Sequence, residues 1–339
     1  MRRILIVIIF FSTTALLTGN DSKGPLVGKN YYVPFIPYYS FPGYAAAPGS
    51  KRNLSISISN YFIQDMVTEF HQIGTTLEQE RFIDYEGYVL EPTVSYNFLD
   101  NLEVGLTGRI HFYYGGFWDP VIEGFHSIFG FPNGGRNLYP ANDVFINIQT
   151  TSGIDLSLTE PLAAIGDTDL FVKWSFLSLN FMDAAFFSAF KIPTGSMENI
   201  SGSGYPDLGF SLLMDFYPLK WLTIYLQNGI VIPGQLFVKT LSAPEPIYTL
   251  VSAFEFILSP KISLIAQFRL NTSPIKEGTT VPLNISYTVK LHQPMTNILA
   301  GVVFYLSDYR CQVYFEEDAF TNNGADLILN LAVSKSFHL

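Results

Sequence analysis

The amino-acid sequence predicts an all-β protein, a transmembrane antiparallel outer-membrane β-barrel, from three observations. Only 14% of the 339 residues are charged, whereas soluble domains average about a quarter. Beyond the N-terminus no run of about 20 apolar residues is present, which excludes membrane-spanning helices. Apolar and polar residues instead alternate with a period of two over many segments, as they do in the strands of membrane barrels.

The first 20 residues have the features of a secretory signal peptide. Arg2 and Arg3 precede a short apolar run from Ile4 to Leu17, and polar residues follow. This order is typical of a cleaved signal. We therefore divide the chain into a signal peptide (1–20), an N-terminal segment (21–52) and a transmembrane β-barrel (53–339). The expected location is the outer membrane of a double-membraned bacterium, after cleavage of the signal.

Residues 21–52 follow neither a strand pattern nor a helix pattern. They include five prolines, which lack the N–H that a regular strand donates to its neighbour. Their many Tyr and Phe residues argue against disorder. We predict a plug-like segment that folds into the barrel mouth; the alternative is a segment that lies along the periplasmic rim.

The strands are predicted from the alternation and from the turn residues between them. Leu102, Val104 and Leu106, for example, alternate with Glu103 and Thr107, so one face suits lipid and the other suits water. The connections are alternately short and long, as expected for periplasmic turns and external loops. The fourteen predicted strands are 53–68, 80–98, 102–114, 142–150, 153–160, 168–178, 183–193, 205–217, 221–232, 246–258, 261–272, 290–306, 309–318 and 325–339.

The count of fourteen depends on a hairpin from Thr150 to Asp155, without which the barrel has twelve strands. Either even number places both termini on the periplasmic side. The last strand carries apolar residues in register up to the C-terminus, among them Phe337 and Leu339. We expect the barrel-assembly machinery to recognise this strand and outer-membrane lipid to surround the barrel.

Charged residues at inward positions of the predicted strands are candidates for lining the lumen. Both signs are present, which leaves two interpretations open. The charges either face a water-filled pore and tune the passage of a small-molecule solute, or pair across the lumen and close it. The candidates are Glu103, Arg109, Lys173, Asp207, Asp215, Glu255, Lys261, Arg269, Arg310 and Glu316.

The longest external loop, Gly116 to Arg136, combines aromatic, charged and turn-forming residues. The spacing of Val121, Phe125 and Ile128 suits a short amphipathic helix, and the turn residues after it would end that helix. We predict a folded lid packed into the barrel mouth. The residues of this lid are Glu123, Phe125, His126, Phe129, Gly134, Gly135 and Arg136.

No motif in the sequence indicates enzymatic chemistry, a cofactor or a metal site. The five histidines are far apart along the chain, and His126 and Ser127 are merely adjacent. A hydrolase at the barrel rim is therefore the lowest-ranked interpretation, and a loop histidine that holds a turn is the simpler one. The net charge of −10 argues against nucleic acid as a partner.

Several segments together resemble the DUF3187 family of uncharacterised bacterial proteins. The opening "GPLVGKNYYVPFIPYY" is similar to the start of that family, with Lys29 where the family has Arg. "GDTDLFVKWSF", "KIPTGS", "GSGYPDLGFSL" and "FEEDAFTNNGADLILNL" are also similar to family segments. The resemblance implies an outer-membrane barrel and supplies no substrate. The most distinctive match is "GGFWDPVIEGFHSIFGFPNGGR", with Ile122, Glu123, Phe125, His126, Phe129, Gly130, Pro132, Gly134, Gly135 and Arg136 at the matching positions.

These observations favour a passive channel or transporter for small or partly hydrophobic solutes, gated by the external loop and the N-terminal segment. A non-conducting structural or surface-displayed barrel is the alternative from a different class. The amphipathic alternation and the mixed inward charge favour the channel.

Overall fold

The computed structural model describes residues 22–33, 35–73, 76–129, 139–149, 155–237, 244–274, 281–283, 285–287, 293–318 and 325–339. Within these ranges the chain forms eighteen strands, one α-helix and a short 3-10 turn at Gly234–Phe237. The elements are β1 (Asn53–Ile73), β2 (Thr76–Leu99), β3 (Leu102–Thr107), β4 (Ile110–Tyr114), α1 (Asp119–Phe129), β5 (Phe145–Gln149), β6 (Asp155–Leu158), β7 (Leu162–Ile165), β8 (Thr168–Leu179), β9 (Met182–Ile192), β10 (Asp207–Leu219), β11 (Leu222–Pro233), β12 (Ile247–Ser259), β13 (Ile262–Asn271), β14 (Val281–Leu283), β15 (Ile285–Tyr287), β16 (Met295–Leu306), β17 (Tyr309–Asp318) and β18 (Leu327–His338).

Twelve of these strands close into an antiparallel barrel. The order around the barrel is β1-β18-β17-β16-β13-β12-β11-β10-β9-β8-β3-β2, and β2 then pairs with β1. Closure gives every barrel strand a partner on both sides, so its backbone donors and acceptors are satisfied without water. The predicted all-β antiparallel barrel is confirmed, with the twelve strands of the alternative count.

The predicted count of fourteen is wrong because it included a hairpin that is not part of the barrel wall. β5 and β6 pair with each other, and β5 meets only the far end of β2, at Ile83 and Asp84. β4 and β7 are continuations of β3 and β8, interrupted beside Gly108 and Gly166. Alternation alone does not distinguish a strand in the wall from a hairpin that extends from its rim.

The two faces of the wall are inverted relative to those of a soluble protein. In β8, Asp169 and Lys173 are buried. Their neighbours Leu170, Val172 and Trp174 are 41%, 39% and 49% exposed. Polar residues therefore face the inside and apolar residues face the surroundings, which is the pattern of a barrel in lipid. No helix among the described residues is both long and apolar enough to cross a membrane.

The two ends of the barrel differ in their connections. At one end, which we call the turn end, two residues connect each of five consecutive pairs of strands. The longer connections lie at the other end, which we call the loop end. The predicted alternation of short turns and long loops is thus found around the barrel, except that only two residues separate β1 from β2 at the loop end. The turn-end connections are Asp100–Asn101, Asn180–Phe181, Lys220–Trp221, Pro260–Lys261 and Ser307–Asp308.

The N-terminal residues 22–33 and 35–51, which we call the inner segment, run through the inside of the barrel, and of these residues Pro48, Ser50 and Lys51 are exposed near its end. Tyr32, Val33 and Phe41 are at most 1% exposed and belong to the core of the molecule. The segment leaves at the turn end, where the Arg52 amide donates to the Asn97 carbonyl at 2.8 Å and β1 begins. The core of the molecule is therefore formed where side chains of this segment pack against the inward face of the wall.

Candidate functional site in the barrel lumen

Side chains of the wall, instead of a strand ladder, satisfy the backbone of the inner segment. Buried peptide groups need partners, and a proline-rich segment has no regular neighbour to supply them. Three predicted lumen carboxylates accept its N–H groups: Glu255 from Lys23 at 2.9 Å, Asp207 from Tyr39 at 2.8 Å and Asp215 from Ala47 at 2.9 Å.

Two predicted lumen cations bind carbonyl groups of the same segment. Lys173 Nζ donates to the Ala47 carbonyl at 2.9 Å, and Arg310 Nε donates to the Lys23 carbonyl at 2.6 Å. Lys173 also lies 3.3 Å from the Glu103 carboxylate. Both side chains therefore bind the peptide that occupies the lumen, and Lys173 also pairs with a carboxylate of the wall.

Tyr44 of the inner segment donates to the same Glu103 carboxylate at 2.7 Å. Burial, followed by the charge of Glu103, raises the pKa of the Tyr44 phenol well above its ordinary value. Tyr44 therefore stays a protonated donor at neutral pH, and Glu103 anchors the last third of the inner segment.

Two glutamines of the wall form the backbone hydrogen bonds that a neighbouring strand would otherwise form with the inner segment. Gln267 accepts from the Leu26 amide at 3.0 Å and donates to the Leu26 carbonyl at 3.2 Å. Gln312 accepts from the Val27 amide at 3.2 Å and donates to the Pro25 carbonyl at 2.9 Å. A side-chain amide has both N–H donors and a carbonyl acceptor, so each glutamine satisfies one peptide N–H and one peptide carbonyl of the inner segment.

A buried cluster of four charges ties the inner segment to β2 and to the interrupted strands. Lys29 of the segment lies 2.9 Å from Glu91 and 3.5 Å from Asp169. Arg109 lies 3.0 Å from Glu91 and forms a second ion pair with Asp169. Two cations and two carboxylates balance, which makes the burial of all four tolerable. We call Lys29, Glu91, Arg109 and Asp169 the four-charge cluster.

A second cluster holds a connection at the loop end, residues 193–206, inside the barrel. Lys191 lies 3.0 Å from Asp167 and 2.8 Å from Asp207, and donates to the Pro37 carbonyl of the inner segment at 2.5 Å. Asp167 also accepts from the Gly195 amide at 2.8 Å. Ile200, at the inner part of the loop, is fully buried. Lys191 thus connects the loop, the wall and the inner segment.

Of the three remaining predicted lumen residues, two lie in the wall and one lies in a turn. Arg269 and Glu316 form a buried ion pair with each other. Lys261 is exposed in the Pro260–Lys261 turn, so its predicted inward position is wrong. The alternation was continued one residue too far, past the end of the strand. The other nine candidates face the lumen, where eight of them contact the inner segment or another candidate and Arg109 pairs with Glu91 and Asp169.

Sequence reasoning missed Lys29, Glu91, Asp167, Asp169 and Lys191. A signal for two of them was present, since Asp169 and Lys191 alternate with outward apolar residues in "TDLFVKW" and "FFSAFK". Their partners could not be read from the sequence, because each ion pair joins residues distant along the chain.

The predicted helix of the long external loop is confirmed as α1. The two residues before the helix are fixed from β2, since the Glu86 carboxylate accepts from the Phe117 amide at 2.7 Å and also from the Trp118 amide. Val121 and Ile128 are 54% and 79% exposed, and Glu123 is half-buried. The side chains of Phe125, His126 and Phe129 lie outside the description, as do residues Gly134, Gly135 and Arg136. The lid role stays a prediction.

A cavity of about 300 Å³ lies between the inner segment and the wall, where residues of β18, β1, β2 and β3 line it together with residues of β8, β9 and β17. Lys29, Glu91 and Asp169 of the four-charge cluster and Glu103 are among its lining residues. No group of His, Cys, Asp and Glu side chains that could hold a metal ion occurs among the described residues.

The fold and the filled lumen define the class: a twelve-stranded barrel of the outer-membrane type with a segment of its own chain inside. The chain belongs to the DUF3187 family, described as "Protein of unknown function", whose family profile matches residues 36–337. This match confirms the resemblance stated from the sequence. No curated protein matches the chain.

Among solved structures, an outer-membrane channel from Pseudomonas putida F1 is similar over 87% of this chain and 99% of its own, at 13% identity and a TM-score of 0.54. The NanC porin matches 84% of this chain and 100% of its own at 7% identity, with a TM-score of 0.44. The Pseudomonas putida toluene transporter TodX matches 94% and 100% at 8% identity, with a TM-score of 0.40. The first similarity indicates a shared fold, and the other two are too distant for any argument.

Proposed function

We propose that this protein is a gated outer-membrane channel for small polar or partly hydrophobic solutes, and that the inner segment forms its closed gate. One observation carries the proposal. The twelve wall strands pair with one another all the way around the barrel, whereas wall side chains bind the inner segment. The segment can therefore leave without breaking a single hydrogen bond of the barrel ladder.

The cellular setting belongs to the same proposal. Residues 1–20 act as a signal peptide, residues 21–52 act as the gate, and residues 53–339 form the barrel in the outer membrane. The turn end faces the periplasm, as short turns do in such barrels. We assign no enzymatic activity, cofactor or nucleic-acid partner to the chain, and the hydrolase remains the lowest-ranked alternative.

The charges of the lumen make such a gate reversible. When the segment leaves, Glu255, Asp207 and Asp215 lose peptide donors but gain water, so they are not left buried and unpaired. Loop 193–206 would be loosened at the same time, because Lys191 binds the segment at Pro37 as well as the carboxylates Asp167 and Asp207. The lid formed by α1 is an additional gate in this proposal.

Conductance of the full mature chain in planar bilayers tests the proposal. The wild-type barrel is expected to show rare openings, and deletion of residues 22–51 is expected to give frequent, larger steps. Lys29→Gln, which removes one member of the four-charge cluster, is expected to raise the open probability. Lys51→Gln is the matched control, because Lys51 belongs to the same segment but is exposed. If folded barrels of the wild type and of all these variants show no conductance steps, the channel proposal is refuted.

The alternative is a non-conducting structural or surface-displayed barrel. The extent of the buried contacts favours it, since ion pairs and peptide hydrogen bonds hold the inner segment over its whole length. In that case removal of the segment lowers stability and opens no path that is selective for solutes.

A further inference from the structure

The cavity beside the inner segment has a wall of hydroxyl groups on three adjacent strands. Ser55 of β1 pairs in register with Ser336 of β18, and Ser57 of β1 pairs with Ser334 of β18 and Thr93 of β2. Neighbouring strands are about 4.8 Å apart, so these side chains form a regular grid on the inner face. All five line the cavity.

The opposite side of the cavity is formed by aromatic rings and peptide. Tyr44 of the inner segment packs against Phe187 and Phe171 of the wall, with ring centroids 5.0 and 5.8 Å away. All three residues line the cavity together with Pro25 and Pro42. One side thus offers hydrogen-bond donors and acceptors, and the other offers apolar ring surface.

The charges on the cavity balance one another. Three lining residues are cations and three are anions: Lys23, Lys29, Arg310, Glu91, Glu103 and Asp169. Lys29 is paired with Glu91 and Asp169, and Glu103 is paired with Lys173. Arg310 binds peptide carbonyl groups. A charged solute would have to compete with these internal pairs, whereas a neutral solute would not.

The cavity opens at the turn end and closes toward the four-charge cluster. Along the hydroxyl wall Ser336 is exposed, Ser55 and Ser57 are half-buried and Ser59 is only 7% exposed. Glu91, the register partner of Ser59, lies at the closed end. A solute that enters from the turn end therefore stops at the ion pairs of Lys29.

We propose that this cavity binds a small neutral polyhydroxy compound, of the size of a monosaccharide or a sugar alcohol. Hydroxyl groups of the wall would bind hydroxyl groups of the solute, and the rings would contact its C–H face. The volume, about 300 Å³, is at the lower limit for small-molecule sites. The inference rests on the proposed channel only in placing the site on the path of the solute, beside the inner segment that forms the closed gate.

Equilibrium binding to the detergent-solubilised full mature chain tests the site. Glucose and xylitol are expected to bind, while gluconate and glucosamine, of similar size but charged, bind at least about tenfold more weakly. Ser57→Phe, which fills the cavity, is expected to abolish binding. Ile58→Phe is the matched control, since Ile58 is the next residue and is exposed on the outer face of the wall.

A double variant Ser55→Ala, Ser57→Ala keeps the space and removes two hydroxyl groups, so it tests the inference should Ser57→Phe fail to fold. Binding weaker by at least about tenfold is expected, since two hydrogen bonds to the solute are lost. Equal binding of neutral and charged probes, or unchanged binding in both serine variants, overturns the inference. If the probes bind but the protein shows no conductance, the proposed channel is refuted and the proposed binding site stands. If the protein conducts but the probes do not bind, the binding site is refuted and the channel stands.

Discussion

At the level of single residues, the lumen is built from charges that are buried but partnered. Arg269 and Glu316 show the principle in its simplest form, because both are at most 1% exposed and they form an ion pair. Such a pair contributes little net stability, since desolvation of two ions offsets their attraction. Removal of one partner alone is costly, because it leaves an uncompensated charge inside the barrel.

We therefore predict that Glu316→Leu lowers the free energy of unfolding by about 3 kcal/mol or more. The double variant Arg269→Met, Glu316→Leu should recover most of that loss, because neither charge remains. Urea unfolding in lipid vesicles, followed by tryptophan fluorescence, measures both. Glu160→Leu is the control, since Glu160 is exposed and a surface change is expected to stay within about 0.5 kcal/mol. Equal losses in the single and the double variant would contradict this account.

At the level of elements, glycines in the wall provide space for the aromatic rings of the inner segment. A Cβ atom at Gly229 would lie 2.7 Å from the Phe41 ring, and one at Gly209 would lie 2.9 Å from the Tyr39 ring. Phe41 is fully buried, so it has no room to retreat without leaving its position. The wall and the segment are therefore complementary in shape as well as in hydrogen bonding.

We predict that Gly229→Val displaces the inner segment while the barrel stays closed. Overpacking of this kind costs about 1–3 kcal/mol, which raises the population of the undocked segment about tenfold. Chymotrypsin should then cleave the segment about tenfold faster, because cleavage requires local opening, while the heat-dependent gel mobility of the barrel is unchanged. Asn228→Val is the control, since Asn228 is exposed on the outer face. Unchanged cleavage in Gly229→Val would show that the glycine does not control docking.

The strands could be predicted wherever one face contacts lipid and the other the lumen. The first hairpin was predicted as 53–68 and 80–98 but extends over Asn53–Ile73 and Thr76–Leu99. Its far part is rich in polar residues such as Glu69, Glu78 and Glu80. A strand that extends beyond the membrane no longer needs an apolar face, so the alternation that identifies it is lost.

The candidate site was predictable only in part, for a related reason. Alternation indicates that Glu103, Asp207 and Glu255 face inward, because it reports the face of a strand. It does not report what lies opposite, and here the partners belong to a segment without periodicity. Lys29, for example, meets Glu91 only because the segment passes through the lumen.

At the scale of the whole molecule, the barrel is completed by the two strands that are most distant in the chain. β1 and β18 form twelve residue pairs, from Asn53↔His338 to Gln64↔Leu327. The Leu339 amide also donates to the Arg52 carbonyl at 2.9 Å, beside the point where the inner segment leaves the lumen. Closure of the barrel therefore requires the last strand.

The last prediction concerns this closing strand. Phe337 and Leu339 are 39% and 65% exposed at the turn end of the barrel, so their side chains are accessible to an assembly factor and contribute little to the core. Phe337→Ala with Leu339→Ala is expected to lower the amount of assembled barrel in cells severalfold, because we expect the barrel-assembly machinery to recognise these residues. Spontaneous folding of the purified chain into vesicles should be unchanged, since the register of β1 and β18 is kept. Leu331→Ala, at an outward position of the same strand that is 43% exposed, is the matched control for lost apolar surface. An equal loss in cells and in vesicles would mean that the two residues stabilise the barrel itself and are not a recognition signal.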